Sequence, residues 1–502
     1  MTLPIRILWL CALLSCVHAA DAQVVVHLKD SGKLIGEAVL KDGEAALELK
    51  ICHSHKLTIP KTAILKYESA SATQAARPKA APQPAPRALL SDRELARIET
   101  LILEFFGQPE RRAQILAEIR REDAVPLANV DRLSKSILRA ARSAGPKLRE
   151  GDFVFDHPTY RGNVHVELHP RPANRTTTRT ASGPAITQAA EEESYALVLL
   201  LHGGGEGEGR WQSGADMFIE PYRKALGRVI FLCPTVLEKH YAEWGKNPAE
   251  EDYVKELMKA AKRTWPIDTD RVYCAGYSMG GYGTWHYGGH QADVFAGLVS
   301  GAGGILLGMQ RDETWGWGIL SNLRHTAITF AHAKDDKPSP VWSDQAADRI
   351  LKESSHQYGG GYVHRYTEYD KGGHNGASRD MSAAATWSAT HQRPRYPKAV
   401  VWEPSRSFIR HFYWLRDERP QFFTRVEAAI DGNTIDVKLT RLSGGFSILL
   451  NEHLVDMNKP VTVRCAGEQV FHGVVQPSLS AMIESIEDKL DERMWFWGRI
   501  DF

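Results

Sequence analysis

Along the chain the spacing of apolar positions changes period several times, and each change marks a new kind of element. From residue 23 to residue 68, the stretch VVVHLKDSGKLIGEAVLKDGEAALELK alternates apolar and polar positions around the turn pairs Ser31-Gly32 and Asp42-Gly43. That pattern predicts a small antiparallel β module, structural or docking in role. Residues 69–90 contain SATQAARPKAAPQPAPR, an Ala/Pro-rich run without periodicity that reads as a semi-rigid linker. Over residues 91–149 the period becomes helical. Ser91 and Glu94 form a capping-box signature ahead of Leu95, Ile98, Leu101 and Phe105, and Gly107 with Pro109 closes that helix. Arg111 to Arg121 and Asp131 to Arg142 predict two more helices, with the basic residues of the segment read as a solvated face.

From residue 150 to residue 418 strand patterns alternate with helical ones. Val164, Val166 and Leu168 alternate in one strand, whereas Ala196 to Leu201, ALVLLL, is a continuous apolar run suited to a strand covered on both faces. Arg228 to Cys233, Val272 to Ala275, Val294 to Ser300 and Ala327 to Ala331 follow as buried strands. A helix from Glu251 to Arg263 carries Val254, Leu257, Met258 and Ala261 on one side. This alternation predicts an α/β domain with a mostly parallel sheet flanked by helices. After Pro420 the texture changes to short alternating runs, IDGNTIDVKL, GGFSILLNEHLVD and KPVTVRCAGEQVFHGVV, which predict a separate C-terminal β-rich domain over 419–502 with one amphipathic helix from Leu479 to Leu490.

Composition narrows the classes. At 502 residues the chain has room for roughly three domains at about 150 residues each. Lys+Arg number 62 and Asp+Glu 61, a net charge of +1, so no long-range field favours nucleic acid or an anionic membrane. Residues 1–22 place Arg6 before an apolar run from Ile7 to Leu14 and end on Ala20-Asp21-Ala22, an A-x-A cleavage pattern, so a secretory signal is expected and the protein is expected to be secreted or periplasmic. The run is too short to span a bilayer. Leu13-Leu14-Ser15-Cys16 also resembles a lipoprotein cleavage box, leaving lipid anchoring as the alternative. Cys52, Cys233, Cys274 and Cys465 remain beyond the signal, and their wide spacing demands no disulfide.

The chemistry gathers around Arg271 to Trp285, RVYCAGYSMGGYGTW. A G-x-S-x-G match such as Gly276, Ser278 and Gly280 is expected by chance roughly once in five chains of this glycine content, so the flanks decide. Here a buried strand precedes the serine and a helix can follow it, which places Ser278 on a sharp strand-to-helix turn with its hydroxyl projecting from the sheet edge. His202-Gly203-Gly204-Gly205 follows an earlier buried strand, and its glycines can turn backbone N–H groups toward an anion. Gly204 or Gly205, with Met279, are the candidate oxyanion donors. An acid is offered by AHAKDDKPSP, where the spacing from His332 through Pro340 favours Asp336 and a gapless register favours Asp335. The base comes last, on KGGHNG, where Gly372 and Gly373 can deliver His374 to Ser278. His202, His286, His290 and His332 are read as structural.

Together PIDTDRVYCAGYSMGGYGTW, LLLHGGG, AHAKDD and KGGHNG resemble the α/β-hydrolase superfamily, most of all the secreted esterases grouped with polyhydroxybutyrate depolymerases, feruloyl esterases and phospholipase/carboxylesterases. The resemblance covers residues 150 to 415. It implies a Ser-His-Asp hydrolase without metal or cofactor, acting on small or polymer-linked esters through an acyl-enzyme, with Ser278, His374 and Asp336 in those roles. The family motif has His-Gly where this chain has His332-Ala333, which leaves Asp335 as the alternative acid. Two other readings stand beside it. One is a peptidase of the prolyl-oligopeptidase type, for whose propeller the N-terminal region offers no blade repeats; the other is a non-catalytic binding protein on the same fold.

Overall fold

The computed structural model describes the backbone of five strands between residues 23 and 69 and residues 89–157, 160–169, 194–204, 210–237, 244–245, 248–305, 318–404, 406, 409–420, 424–440 and 445–502. The expected signal, the lipoprotein box, most of the linker and Gly205 lie outside these residues. The first five strands, β1 (Gln23–Leu28), β2 (Lys33–Val39), β3 (Ala46–Cys52), β4 (His55–Pro60) and β5 (Ile64–Ser69), form one antiparallel sheet in the order β4-β3-β2-β1-β5.

Three helices follow, α1 (Asp92–Gly107), α2 (Arg112–Ile119) and α3 (Val130–Ser143). The capping box of α1 is formed, the Ser91 hydroxyl accepting from the Glu94 amide while the Glu94 carboxylate accepts from the Ser91 amide.

The central sheet has eight strands: β6 (Gly151–Asp156), β7 (Arg161–His169), β8 (Tyr195–Leu201), β9 (Val229–Pro234), β10 (Ile267–Tyr277), β11 (Gly297–Gly301), β12 (Ala327–Ala333) and β13 (His364–Tyr369). Their order is β13-β12-β11-β10-β8-β9-β7-β6, parallel from β13 to β9, with β7 and β6 antiparallel at one edge. Among the described residues five helices cover it: α4 (Ile219–Leu226), α5 (Pro248–Thr264), α6 (Met279–His290), α7 (Trp342–Gln357) and α8 (Met381–Ser388). Strand β8 explains why its sequence is apolar throughout. Ala196, Val198 and Leu200 join a core with α4 and α8, whereas Leu197, Leu199 and Leu201 join the opposite core with α5, α6 and α7. Each such leucine contributes about 1.5–3 kcal/mol by burial. The result is an α/β-hydrolase fold.

The C-terminal region holds two further sheets and one helix. Strands β14 (Ala399–Trp402), β15 (His411–Phe412), β16 (Leu415–Asp417), β17 (Val426–Asp431), β18 (Thr434–Leu439), β19 (Phe446–Leu450), β20 (Val461–Cys465), β21 (Glu468–Gly473) and β22 (Gly498–Asp501) arrange as β14-β17-β18-β20-β21 and β15-β16-β19-β22, and α9 spans Leu479–Lys489. Three of these strands, β14, β15 and β16, precede the start at 419 expected from the sequence. Their short apolar runs carry no mark of which sheet they join, because pairing is decided by distant partners.

The helical segment is also less solvated than its basic residues suggest. Arg112, Arg120 and Arg142 pair with Glu487, Glu484 and Glu492 of the C-terminal region at 3.2, 2.7 and 2.7 Å, and the Asp123 carboxylate accepts the Ser480 amide at 2.6 Å at the start of α9. These three arginines face the C-terminal region, whereas Arg93, Arg97, Arg121, Arg132, Lys135 and Arg139 stay exposed. Among the described residues no helix is long and apolar enough to cross a membrane, and Cys233, Cys274 and Cys465 are buried free thiols.

Candidate active site

Strand β10 ends at Tyr277 and α6 begins at Met279, so Ser278 alone makes the turn between them. Its backbone lies at φ 57° and ψ −121°, a conformation that residues with a side chain rarely adopt. The flanking glycines are required by contact. A Cβ on Gly276 would fall 2.2 Å from the Gly280 carbonyl oxygen, and one on Gly280 would fall 2.0 Å from that of Leu201. The elbow is also pinned from outside, since the Ser278 amide donates to the Gly301 carbonyl at the end of β11 at 2.7 Å.

His374 reaches this serine from the loop after β13. Gly372 and Gly373 sit at φ 144° and 56° and let the chain reverse just before it. The imidazole Nε2 lies 2.7 Å from Ser278 Oγ, and Nδ1 lies 2.8 Å from Asp336 Oδ2. Because a carboxylate only accepts, Nδ1 carries the proton and donates, leaving Nε2 to accept from the serine hydroxyl. The Asp336 side chain is fully buried, and its Oδ1 accepts the Ser339 amide at 3.1 Å; His374 keeps 29% of its side chain exposed. A hydroxyl bonded to a neutral imidazole that a buried carboxylate orients is an arrangement able to act as an activated nucleophile.

Asp335 faces another way. Its carboxylate accepts the amides of Gly373 at 2.7 Å and Gly372 at 3.3 Å, and these bonds hold its pKa below the usual carboxylate value. It ties down the loop that carries His374 without touching the imidazole. Of the two acids left open by the sequence, the geometry puts Asp336 on His374.

The residues after β8 lie against the elbow. The Gly203 amide donates to the Ser213 carbonyl at 2.6 Å. His202 is buried, accepts the Val236 amide on Nε2 at 3.2 Å and donates from Nδ1 to the Gly203 carbonyl at 2.8 Å. Burial lowers its pKa despite that bond, as a neutral structural histidine requires. Gly204 follows in an exposed position, and Met279 is the first residue of α6, where a helix leaves its amide without an intrahelical acceptor. His286, paired with Glu251, and His290, pushed well below its ordinary value by burial, are buried side by side.

Two partners of the site were not singled out in the sequence. The Tyr277 hydroxyl donates to the His374 carbonyl at 2.6 Å, and its pKa is pushed up to about 12 by burial and by the Asp336 charge. His332 was read as structural, yet its Nε2 lies 3.2 Å from the same Asp336 oxygen that His374 uses. The adjacency of Tyr277 to the elbow serine was a usable signal for the first, and the four-residue step from His332 to Asp336 for the second.

A model of the prolyl oligopeptidase family matches residues 237–324, which include the elbow and the strands on either side of it. No curated protein matches the sequence. Among solved structures, similarity is found to a thermostable esterase at 22% identity over 48% of this chain and 63% of that one, with a TM-score of 0.35; the alignment thus leaves more than a third of that esterase uncovered. An S-formylglutathione hydrolase from Staphylococcus aureus aligns at 18% identity over 47% of this chain and 97% of its own, with a TM-score of 0.32. A ferulic acid esterase from the anaerobic fungus Anaeromyces mucronatus aligns at 14% identity over 48% and 90%, with a TM-score of 0.32. The sheet order, the helices on both faces and the strand-to-helix turn at Ser278 are those of an α/β-hydrolase fold.

Proposed function

We propose that this protein hydrolyses carboxylic esters through an acyl-enzyme on Ser278. The observation that supports the reading is the unbroken hydrogen-bonded line from Ser278 Oγ through His374 to Asp336. In the first step Oγ attacks the acyl carbonyl while its proton passes to His374 Nε2. His374 then gives that proton to the leaving alcohol, and Asp336 stabilises the imidazolium in between. The oxyanion is held by the amides of Met279 and of Gly204 or Gly205, each worth about 3 kcal/mol of barrier. Water, deprotonated by His374, resolves the acyl-enzyme and releases the acid. The expected substrates are small or polymer-linked esters, and the leader-like residues 1–22 support export from the cytoplasm.

The family match to prolyl oligopeptidases favours a second reading, cleavage of peptide bonds by the same three residues. Short-chain p-nitrophenyl esters, methyl ferulate and a peptide anilide, offered to wild type and to Ser278→Ala, separate the two. Ester turnover lost in Ser278→Ala is the expected result. Anilide cleavage without ester turnover moves the assignment to peptidase, and turnover that survives Ser278→Ala refutes both.

A further inference from the structure

His332 stands at the end of β12, four residues before Asp336, with no exposed side-chain surface. Its Nδ1 lies 2.8 Å from Asp344 Oδ2, and its Nε2 lies 2.7 Å from the Ser339 carbonyl and 3.2 Å from Asp336 Oδ2. A neutral imidazole offers one donor and one acceptor. Both ring nitrogens face oxygens, so the ring and Asp344 share one proton more than a neutral imidazole beside a carboxylate; with that proton on Nδ1 the ring donates in both directions.

We propose that His332, held by Asp344, is a positioning residue for the triad acid, presenting the positive end of a buried ion pair to the Asp336 oxygen that receives His374. The proposal rests on the hydrolytic reading of Ser278. Asp344, His332, Asp336, His374 and Ser278 then form one line. Once His374 has taken the serine proton, charges along it alternate, negative on Asp344, positive on His332, negative on Asp336 and positive on His374, and the buried cluster is neutral.

Two further features agree. Asp344 lies in the first turn of α7, where the helix dipole favours a negative charge. Burial alone would hold His332 down and does raise Asp344, but the hydrogen bond and charge of Asp344 lift His332 above its ordinary value. The charged and titratable groups around the pair have their own places. The Trp285 indole N–H on α6 and Asp344 Oδ1 are both buried without a hydrogen-bond partner among the described residues. Tyr366 on β13 bonds to Glu368, which stands opposite His332 in the sheet register and also takes Gln345 and Lys334, while Asp348, one turn along α7, pairs with His364. Among the described residues, Asp336 connects the pair to the nucleophile through His374.

The test reads the rate at which a fluorophosphonate labels Ser278 as a function of pH, which needs no knowledge of the natural substrate. Removing the positive end of the pair leaves two buried carboxylates facing each other, so the cluster takes up a proton more readily. In His332→Gln the acid limb of the profile is expected to move up by about one pH unit, and the plateau to fall roughly tenfold. The double variant His332→Gln/Asp344→Asn, which removes both charges, recovers part of that shift. If His332→Gln fails to fold by circular dichroism, Asp344→Asn carries the test; it keeps an Nε2–H on a neutral ring and moves the limb the same way by less. An acid limb that coincides with wild type, whatever the loss of plateau, reduces His332 to packing and overturns the proposal. A wild type that is not labelled at all overturns the hydrolytic reading itself.

Discussion

Asp335 and Asp336 are neighbours in the chain, yet their carboxylates serve different partners: Asp336 accepts the His374 ring at 2.8 Å, and Asp335 accepts the Gly373 amide at 2.7 Å. One orients the imidazole and the other anchors the loop that delivers it. Asparagine at the two positions is therefore expected to have unequal effects. Asp336→Asn should lower kcat by about 10⁴, because the amide no longer holds the reactive tautomer of His374. Asp335→Asn should cost less than about tenfold, the value of one weakened loop bond. Steady-state rates on one ester decide it, and a larger loss in Asp335→Asn reverses the assignment.

The Asp335 contacts also carry a pH dependence. A carboxylate whose folded pKa lies below its unfolded value adds stability that is present above the unfolded value and disappears as pH falls through the folded one. Asp335 is exposed, so the effect is small. Melting curves should place Asp335→Asn below wild type at neutral pH, with the gap closing as pH falls through the carboxylate range. A constant gap across that range contradicts the account.

The elbow trades stability for reactivity. With Ser278 at φ 57°, Ser278→Gly is expected to stabilise the fold by about 1 kcal/mol while abolishing turnover, since glycine adopts this conformation without strain. Gly280→Ala should do the reverse. Its Cβ would meet the Leu201 carbonyl oxygen, a backbone atom that cannot swing aside, and the loss should be about 3 kcal/mol, with the elbow displaced. Denaturant midpoints of the two variants test the pair of signs.

Tyr277 offers a subtler probe. Its hydroxyl fixes the His374 backbone from beneath, so Tyr277→Phe should lower kcat by about threefold to tenfold and leave KM unchanged. A change in KM alone would assign Tyr277 to substrate binding.

How far the sequence revealed this site depended on whether local chemistry or distant packing decides each residue. Gly276, Ser278 and Gly280 were legible because the turn they build is local and tolerates nothing larger at the glycines. His374 was legible through the glycines before it. The spacing from His332 to Pro340 favoured Asp336, which is the acid on His374, but left Asp335 open, because adjacent residues in one loop differ only in the way the loop turns. The contacts of His332 were not legible, because its partner Asp344 comes from the next helix and no local pattern announces it. The same cause hid the C-terminal contacts of the helical segment, where Arg112, Arg120 and Arg142 resemble a solvated face until Glu487, Glu484 and Glu492 are brought against them.

The central claim is that Ser278 becomes acylated during turnover. The most direct measurement is mass spectrometry of the protein quenched in acid within one turnover of p-nitrophenyl acetate, followed by peptide mapping. The account predicts a single acetyl adduct on the peptide that contains Ser278, absent from Ser278→Ala and formed far more slowly in His374→Ala. Release of p-nitrophenol with no adduct at Ser278, or with the acetyl group on another residue, would contradict it.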